Sequence, residues 1–158
     1  FPQVVSIDSD SRSISKLYDY IRKSKAANIT PLVIDVANPS PALGFNNRER
    51  ASFNERVQAG FVLALALVHH LVIGNNISLP MLASYFNDIA PQLLIEFASK
   101  KDEKVRQMLA TRQDVFHDYD EQHFEMYFSE YFHNINKVAI PGSNRTLYLM
   151  KRIGLLEN

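Results

Sequence analysis

Cysteine is absent from the 158 residues. That excludes disulfides and thiolate metal sites and fits a reducing, cytoplasmic compartment. Net charge is absent too: 17 basic and 17 acidic residues cancel, so no overall field draws the chain to nucleic acid or an anionic membrane. Long apolar runs are missing. The longest, FVLALALVHHLVI from Phe61 to Ile73, contains two histidines and is too short to span a bilayer. The start, FPQVV, lacks a basic segment followed by a long apolar one, so no signal peptide is expected. The chain begins at Phe1 rather than an initiator methionine, which suggests processing or trimming. Glycine is scarce: the five, at 44, 60, 74, 142 and 154, leave no glycine-rich phosphate-type turn.

What is present describes a folding chain. Hydrophobic residues make up 46% and charged residues 22%, ordinary globular values. The length suits one domain, residues 1–158, able to bury about two thirds of its unfolded surface.

Val4 to Asp8, VVSID, reads as a strand from its branched apolar content. Ile14, Leu17, Tyr18 and Ile21 then fall at helical spacing, with Asp10 or Ser11 as cap. Asn28 to Val36 is a second strand ending in an acid, Asp35, and the prolines and glycine of ANPSPALGFNN forbid regular structure from Asn38 to Asn46. Arg48 to Val57 alternates in charge and predicts an exposed helix. Phe61 to Leu67 is apolar on both faces, as in a central parallel strand. Ser78 caps a helix with Pro80 in its first turn, and Leu82, Tyr85, Phe86 and Ile89 on its inner face. Gln92 to Phe97 is the next strand. Two helices follow, Asp102 to Thr111 and Glu121 to Phe132, the second with Phe124, Tyr127, Phe128 and Tyr131 as a core stripe. Asn136 to Ile140 and Arg145 to Arg152, joined by PGSN, make an antiparallel hairpin. The order predicts an α/β fold: a Rossmann-like, mostly parallel sheet with helices on both faces and a C-terminal antiparallel hairpin.

In such sheets ligands lie beyond the carboxyl ends of the strands. The candidates are therefore Asp8 with Ser9, Asp35 with Val36, the Ala66 to His70 turn, and Glu96 to Lys100. An acid placed like Asp8 either accepts both hydroxyl hydrogens of a ribose or caps the following turn. Asp10 reads as a cap.

VVSID, LVIDV, FVLALALVHHL, QLLIEF and the terminal hairpin, taken together from Val4 to Arg152, resemble strands two to seven of the class I S-adenosylmethionine-dependent methyltransferases. IDVANPSPALGFNNRERASF followed by LALALVHHLVIGNN resembles more narrowly their nodulation-protein-type branch. The resemblance implies S-adenosyl-L-methionine as cofactor. It implies Asp8 for the ribose hydroxyls, Asp35 with Val36 for the adenine, Ala66 and Leu67 for the methionine side of the pocket, and His69 and His70 beside the transferable methyl. The family's first strand and glycine-rich turn have no counterpart here, which implies an N-terminally incomplete, C-terminal portion of the fold. The implied acceptor is a small molecule, and the loop from Asn38 to Asn54 is where it would be chosen.

If that acceptor has a proton to lose, a base within reach helps. His70 is the first candidate and His69 the second. The bland alternative is a structural histidine at a buried strand end. His117, Asp118, Asp120 and His123 match no ligand spacing that fixes a metal, and read as a solvated turn feeding a helix cap. His133 marks a helix end, and Arg145 and Thr146 pack or face water. A receiver-type signalling domain, with Lys100 or Lys101 as its lysine, needs an acid ending the third strand; Phe61 to Leu67 offers none. A non-catalytic interaction module of the same fold remains the second reading, since sheet surface left by an absent strand favours homo-oligomers.

Overall fold

The computed structural model describes residues 3–154; Phe1, Pro2 and residues 155–158 lie outside them. The chain forms two compact units, Phe1–Arg56 and Val57–Asn158.

The first unit is a βαβ arrangement. β1 (Val4–Asp8) and β2 (Ile29–Val33) pair in parallel, Val4 opposite Ile29 and Asp8 opposite Val33. Between them runs α1 (Ser11–Ser24), capped by the Asp10 carboxylate, which accepts the amides of Arg12 and Ser13. Ile14 is buried and Leu17 and Ile21 are half-buried, as the spacing predicts, but Tyr18 is exposed. Lys25 closes the helix in the left-handed region at φ 57°. β2 stops at Val33, so Asp35 stands two residues beyond the strand. The loop that follows is less irregular than its prolines suggest: Leu43 bridges Arg50, enclosing a short 3₁₀ turn at Phe45–Asn47. Gly44 has φ 87°, and any Cβ there would meet the Glu49 side chain, so only glycine fits. The helix expected over Arg48 to Val57 shrinks to α2 (Phe53–Arg56), because the bridge holds Arg50 extended. Ser52 and Glu55 cap α2 reciprocally.

The second unit carries a four-stranded sheet in the order β3 (Val62–Ala64), β4 (Gln92–Ala98), β6 (Arg145–Arg152), β5 (Phe132–Ala139). β3 and β4 are parallel, and β4, β6 and β5 are antiparallel. The α/β class with parallel strands and an antiparallel terminal hairpin thus matches the expectation. Parallel and antiparallel pairings are equally represented among the described strands. Boundaries shift, most at β3 and where the last helix gives way to β5, which starts four residues before the expected Asn136. β3 is shorter than Phe61 to Leu67 because Ala66 turns left-handed at φ 51°, and its outer side is not covered: Leu63 and Leu65 are 59% and 52% exposed. The last helix ends early, and Phe132 opens β5 instead.

Beyond β3 the backbone becomes helical at Val68 and widens into a π-turn at His70–Gly74. α3 (Leu79–Ile89) follows, capped by Ser78, with Pro80 in its first turn. α4 (Glu103–Leu109) is capped by Asp102 and α5 (Glu121–Ser129) by Asp120. The core is aromatic. Phe124 stacks on Phe128 at 4.3 Å between ring centres and meets Phe97 and Tyr148 at 5.0 Å; Tyr127 and Tyr131 stay half-buried. No helix among the described residues is long and apolar enough to cross a membrane.

Candidate functional site

In the first unit, β1 and β2 bring Asp8 and Asp35 to the same carboxyl edge. The ladder continues one bond past the strands, Ile34 donating to the Asp8 carbonyl at 3.0 Å. Each acid then folds back on its own chain: Asp8 Oδ1 accepts the amide of Asp10 at 2.8 Å, and Asp35 Oδ1 accepts that of Ala37 at 2.9 Å. These turns fix the direction of both carboxylates. Among the described residues neither Oδ2 has a partner, and both side chains are exposed. Ser9 is exposed beside Asp8, and Val36 is half-buried in the turn after Asp35. One oxygen of each acid anchors the loop and the other remains to accept a hydroxyl or amine hydrogen.

In the second unit, Ala66 holds the left-handed conformation at the end of β3, a strained choice for an alanine. Leu67 then launches the helical turn, its carbonyl accepting the amides of His70 at 3.0 Å and Leu71 at 3.1 Å. The two histidines part company there. His69 is 1% exposed and its Nδ1 has no hydrogen-bond partner. Burial, reinforced by His70 and Arg145, lowers its pKa to about 4, with Asp102 pulling weakly the other way. His70 is exposed, its ring centre 4.4 Å from that of His69, and its carbonyl is tied by Asn75 Nδ2 at 2.9 Å.

A charge cluster absent from the sequence reading lies in the same unit. Arg145, at the start of β6, donates from Nε to Asp102 Oδ2 at 2.7 Å, from Nη2 to Asp102 Oδ1 at 3.2 Å and from Nη1 to Glu96 Oε1 at 2.7 Å. The Arg145 hydrogen bonds hold the Asp102 carboxyl below its usual range. Antiparallel register assembles it by setting Ala98 opposite Arg145 and Glu96 opposite Leu147. A hollow of about 400 Å³ opens beside it, with Lys100, Lys101, Tyr119, Asp120, Glu121 and Arg145 among its walls. The FHDYDEQH segment is a turn feeding a cap: Asp120 takes both the His123 amide and its Nδ1 at 2.8 Å. It is less solvated than expected, since Phe116 and Tyr119 are buried. His133 lies on β5, just past its first residue. Lys100 pairs with Asp114 at 2.7 Å. Among the described residues no three metal-ligating side chains converge.

No protein-family model matches the chain. It is 42% identical over 151 residues to the nodulation protein NoeA of Rhizobium meliloti (strain 1021), an alignment covering 95% of this chain and 31% of that protein. The chain therefore spans under a third of the relative's length. Among solved structures it superposes on WbdD with a TM-score of 0.61 at 15% identity, over 93% of this chain and 30% of the other. It superposes on the PH0226 protein of Pyrococcus horikoshii OT3 with a TM-score of 0.59 at 15% identity, over 95% and 71%. At such identities the likeness is one of fold alone.

Proposed function

We propose that the protein to which this chain belongs transfers a methyl group from S-adenosyl-L-methionine to a small-molecule acceptor. The observation that carries the reading is the pair of pinned acids at one edge of two adjacent parallel strands, Asp8 ending β1 and Asp35 two residues past β2, each with one carboxylate oxygen free among the described residues. The methyltransferase-like fold and the likeness to NoeA support it. Asp8 with Ser9 would hold the ribose, and Asp35 and the Val36 backbone the adenine. The cofactor supplies the reactivity, a methyl group on a sulfonium; the protein's part is to orient the acceptor and exclude water.

Of the two histidines, exposed His70 suits the base. A neutral His69 with no route to solvent is better read as part of the core. Changing His70 to Gln should lower turnover about 100-fold or more, the ordinary worth of a positioned base, with affinity for S-adenosylhomocysteine retained. Unchanged turnover would remove the assignment.

Calorimetric titration with S-adenosylhomocysteine, on this chain and on a form extended to the relative's length, tests the cofactor. Binding by the longer form, weakened about 10- to 100-fold by Asp8→Ala as expected for losing hydrogen bonds to a charged acceptor, supports the reading. Failure of both forms to bind would leave the non-catalytic module.

A further inference from the structure

We propose that the hollow at the junction of β4, β6 and α5 is a binding site for a small hydroxylated monocarboxylate. This rests on the hollow's own walls and not on the methyl-transfer reading.

The site is built before any ligand arrives. Tyr119 donates its hydroxyl to the Ala98 carbonyl at 2.7 Å, and Asn144 joins the hairpin turn to the end of β4, its carbonyl accepting the Ser99 amide at 3.0 Å and its Nδ2 donating to the Lys101 carbonyl at 3.3 Å. Arg145 is locked by Glu96 and Asp102. The hollow is open to solvent and, at about 400 Å³, has room for a small molecule; its fixed walls spare a ligand the cost of ordering them.

Charge decides the ligand class. Lys100, Lys101 and Arg145 stand on the strand side, and Asp120 and Glu121 at the cap and first residue of α5. Two of the cations are already spent, Arg145 on Glu96 and Asp102 and Lys100 on Asp114. Among the described residues Lys101 has no ion-pair partner, and its side chain is exposed. One unpaired ammonium suits one negative group. A polyanion would meet the two carboxylates opposite, and an apolar guest would desolvate charges without replacing their hydrogen bonds. Asp120 and Glu121 already accept from their own neighbours, Asp120 from the His123 amide and Nδ1 and Glu121 from the Tyr148 hydroxyl and the Lys137 ammonium; these bonds hold both in their charged form and leave each carboxylate lone pairs to spare. Hydroxyl groups are the donors that satisfy them without adding charge.

The test is an NMR titration of the chain with three probes: D-glucuronate, which has both features, D-glucose, which lacks the carboxylate, and acetate, which lacks the hydroxyls. Glucuronate should saturate, shifting the amides of Lys101, Asn144 and Thr146, and should bind at least about tenfold more tightly than either other probe. Lys101→Gln, a surface change that breaks no side-chain bond, should bring glucuronate down to the level of glucose. Equal binding of the three probes, shifts confined to other residues, or glucuronate affinity indifferent to Lys101→Gln would overturn the assignment.

Discussion

Arg145→Met should destabilise the second unit by about 3 kcal/mol, read as a lower denaturant midpoint with an unchanged slope. Glu96 and Asp102 are 8% and 7% exposed, and the guanidinium supplies three of the hydrogen bonds that make their burial tolerable. Removing it leaves two carboxylates close together with little water, which costs more than the pair itself contributes. The figure is the lower end for a buried ion pair because the Arg145 side chain keeps 22% exposure. A triple change that also converts Glu96 to Gln and Asp102 to Asn should recover much of the loss, since it removes the stranded charges. A single-variant loss below about 0.5 kcal/mol, the range of an exposed pair, would show that the cluster is solvated.

Acidification should expose the cost of burying His69. Its pKa falls from 6.5 in the unfolded chain to about 4 in the fold, so the unfolded state binds a proton that the native state refuses. Above pH 6.5 both states are neutral and the group contributes nothing to pH dependence. Between 6.5 and 4 the native state loses ground, and below 4 the penalty is complete, on the order of 3 kcal/mol for a shift of this size. His69→Leu should therefore flatten the stability curve across that window relative to the parent protein. At pH 7 it should cost little, because it also removes a buried nitrogen without a partner. Parallel curves for parent and variant would mean that His69 reaches water.

Local patterns in the sequence carried much of this fold. α1 and α3 announce themselves by apolar spacing and by the Asp10 and Ser78 caps, and β1 and β4 by branched apolar residues, because those signals act over a few positions. β3 was harder. Phe61 to Leu67 is uniformly apolar, so nothing in its composition marks the left-handed turn at Ala66 or tells that Leu63 and Leu65 face outward. Arg48 to Val57 has helical charge spacing, yet the Leu43–Arg50 bridge takes its first residues away. In the candidate site, Asp8 and Asp35 were legible because each ends its own apolar run. Arg145 was not, since its partners lie 43 and 49 residues earlier and only the hairpin register brings them near. The available clue was a basic residue opening the returning strand of a hairpin whose neighbour, β4, carries Glu96 near its end and is followed by Asp102.

The two acids at the β1–β2 edge belong to the thinly buried part of the chain. Among the described residues of the first unit only Ile14 and Phe53 are buried hydrophobics, while Val5 and Val33 are 50% and 54% exposed. A two-stranded parallel pair with so little beneath it opens at small free energy. Backbone amides of Val4–Asp8 and Ile29–Val33 will then trade hydrogens with solvent well before those of β4 and β6, which sit over the aromatic stack. A guest that grips Asp8 and Asp35 together must also close this breathing edge, so part of its binding energy goes into quieting the strands that present them.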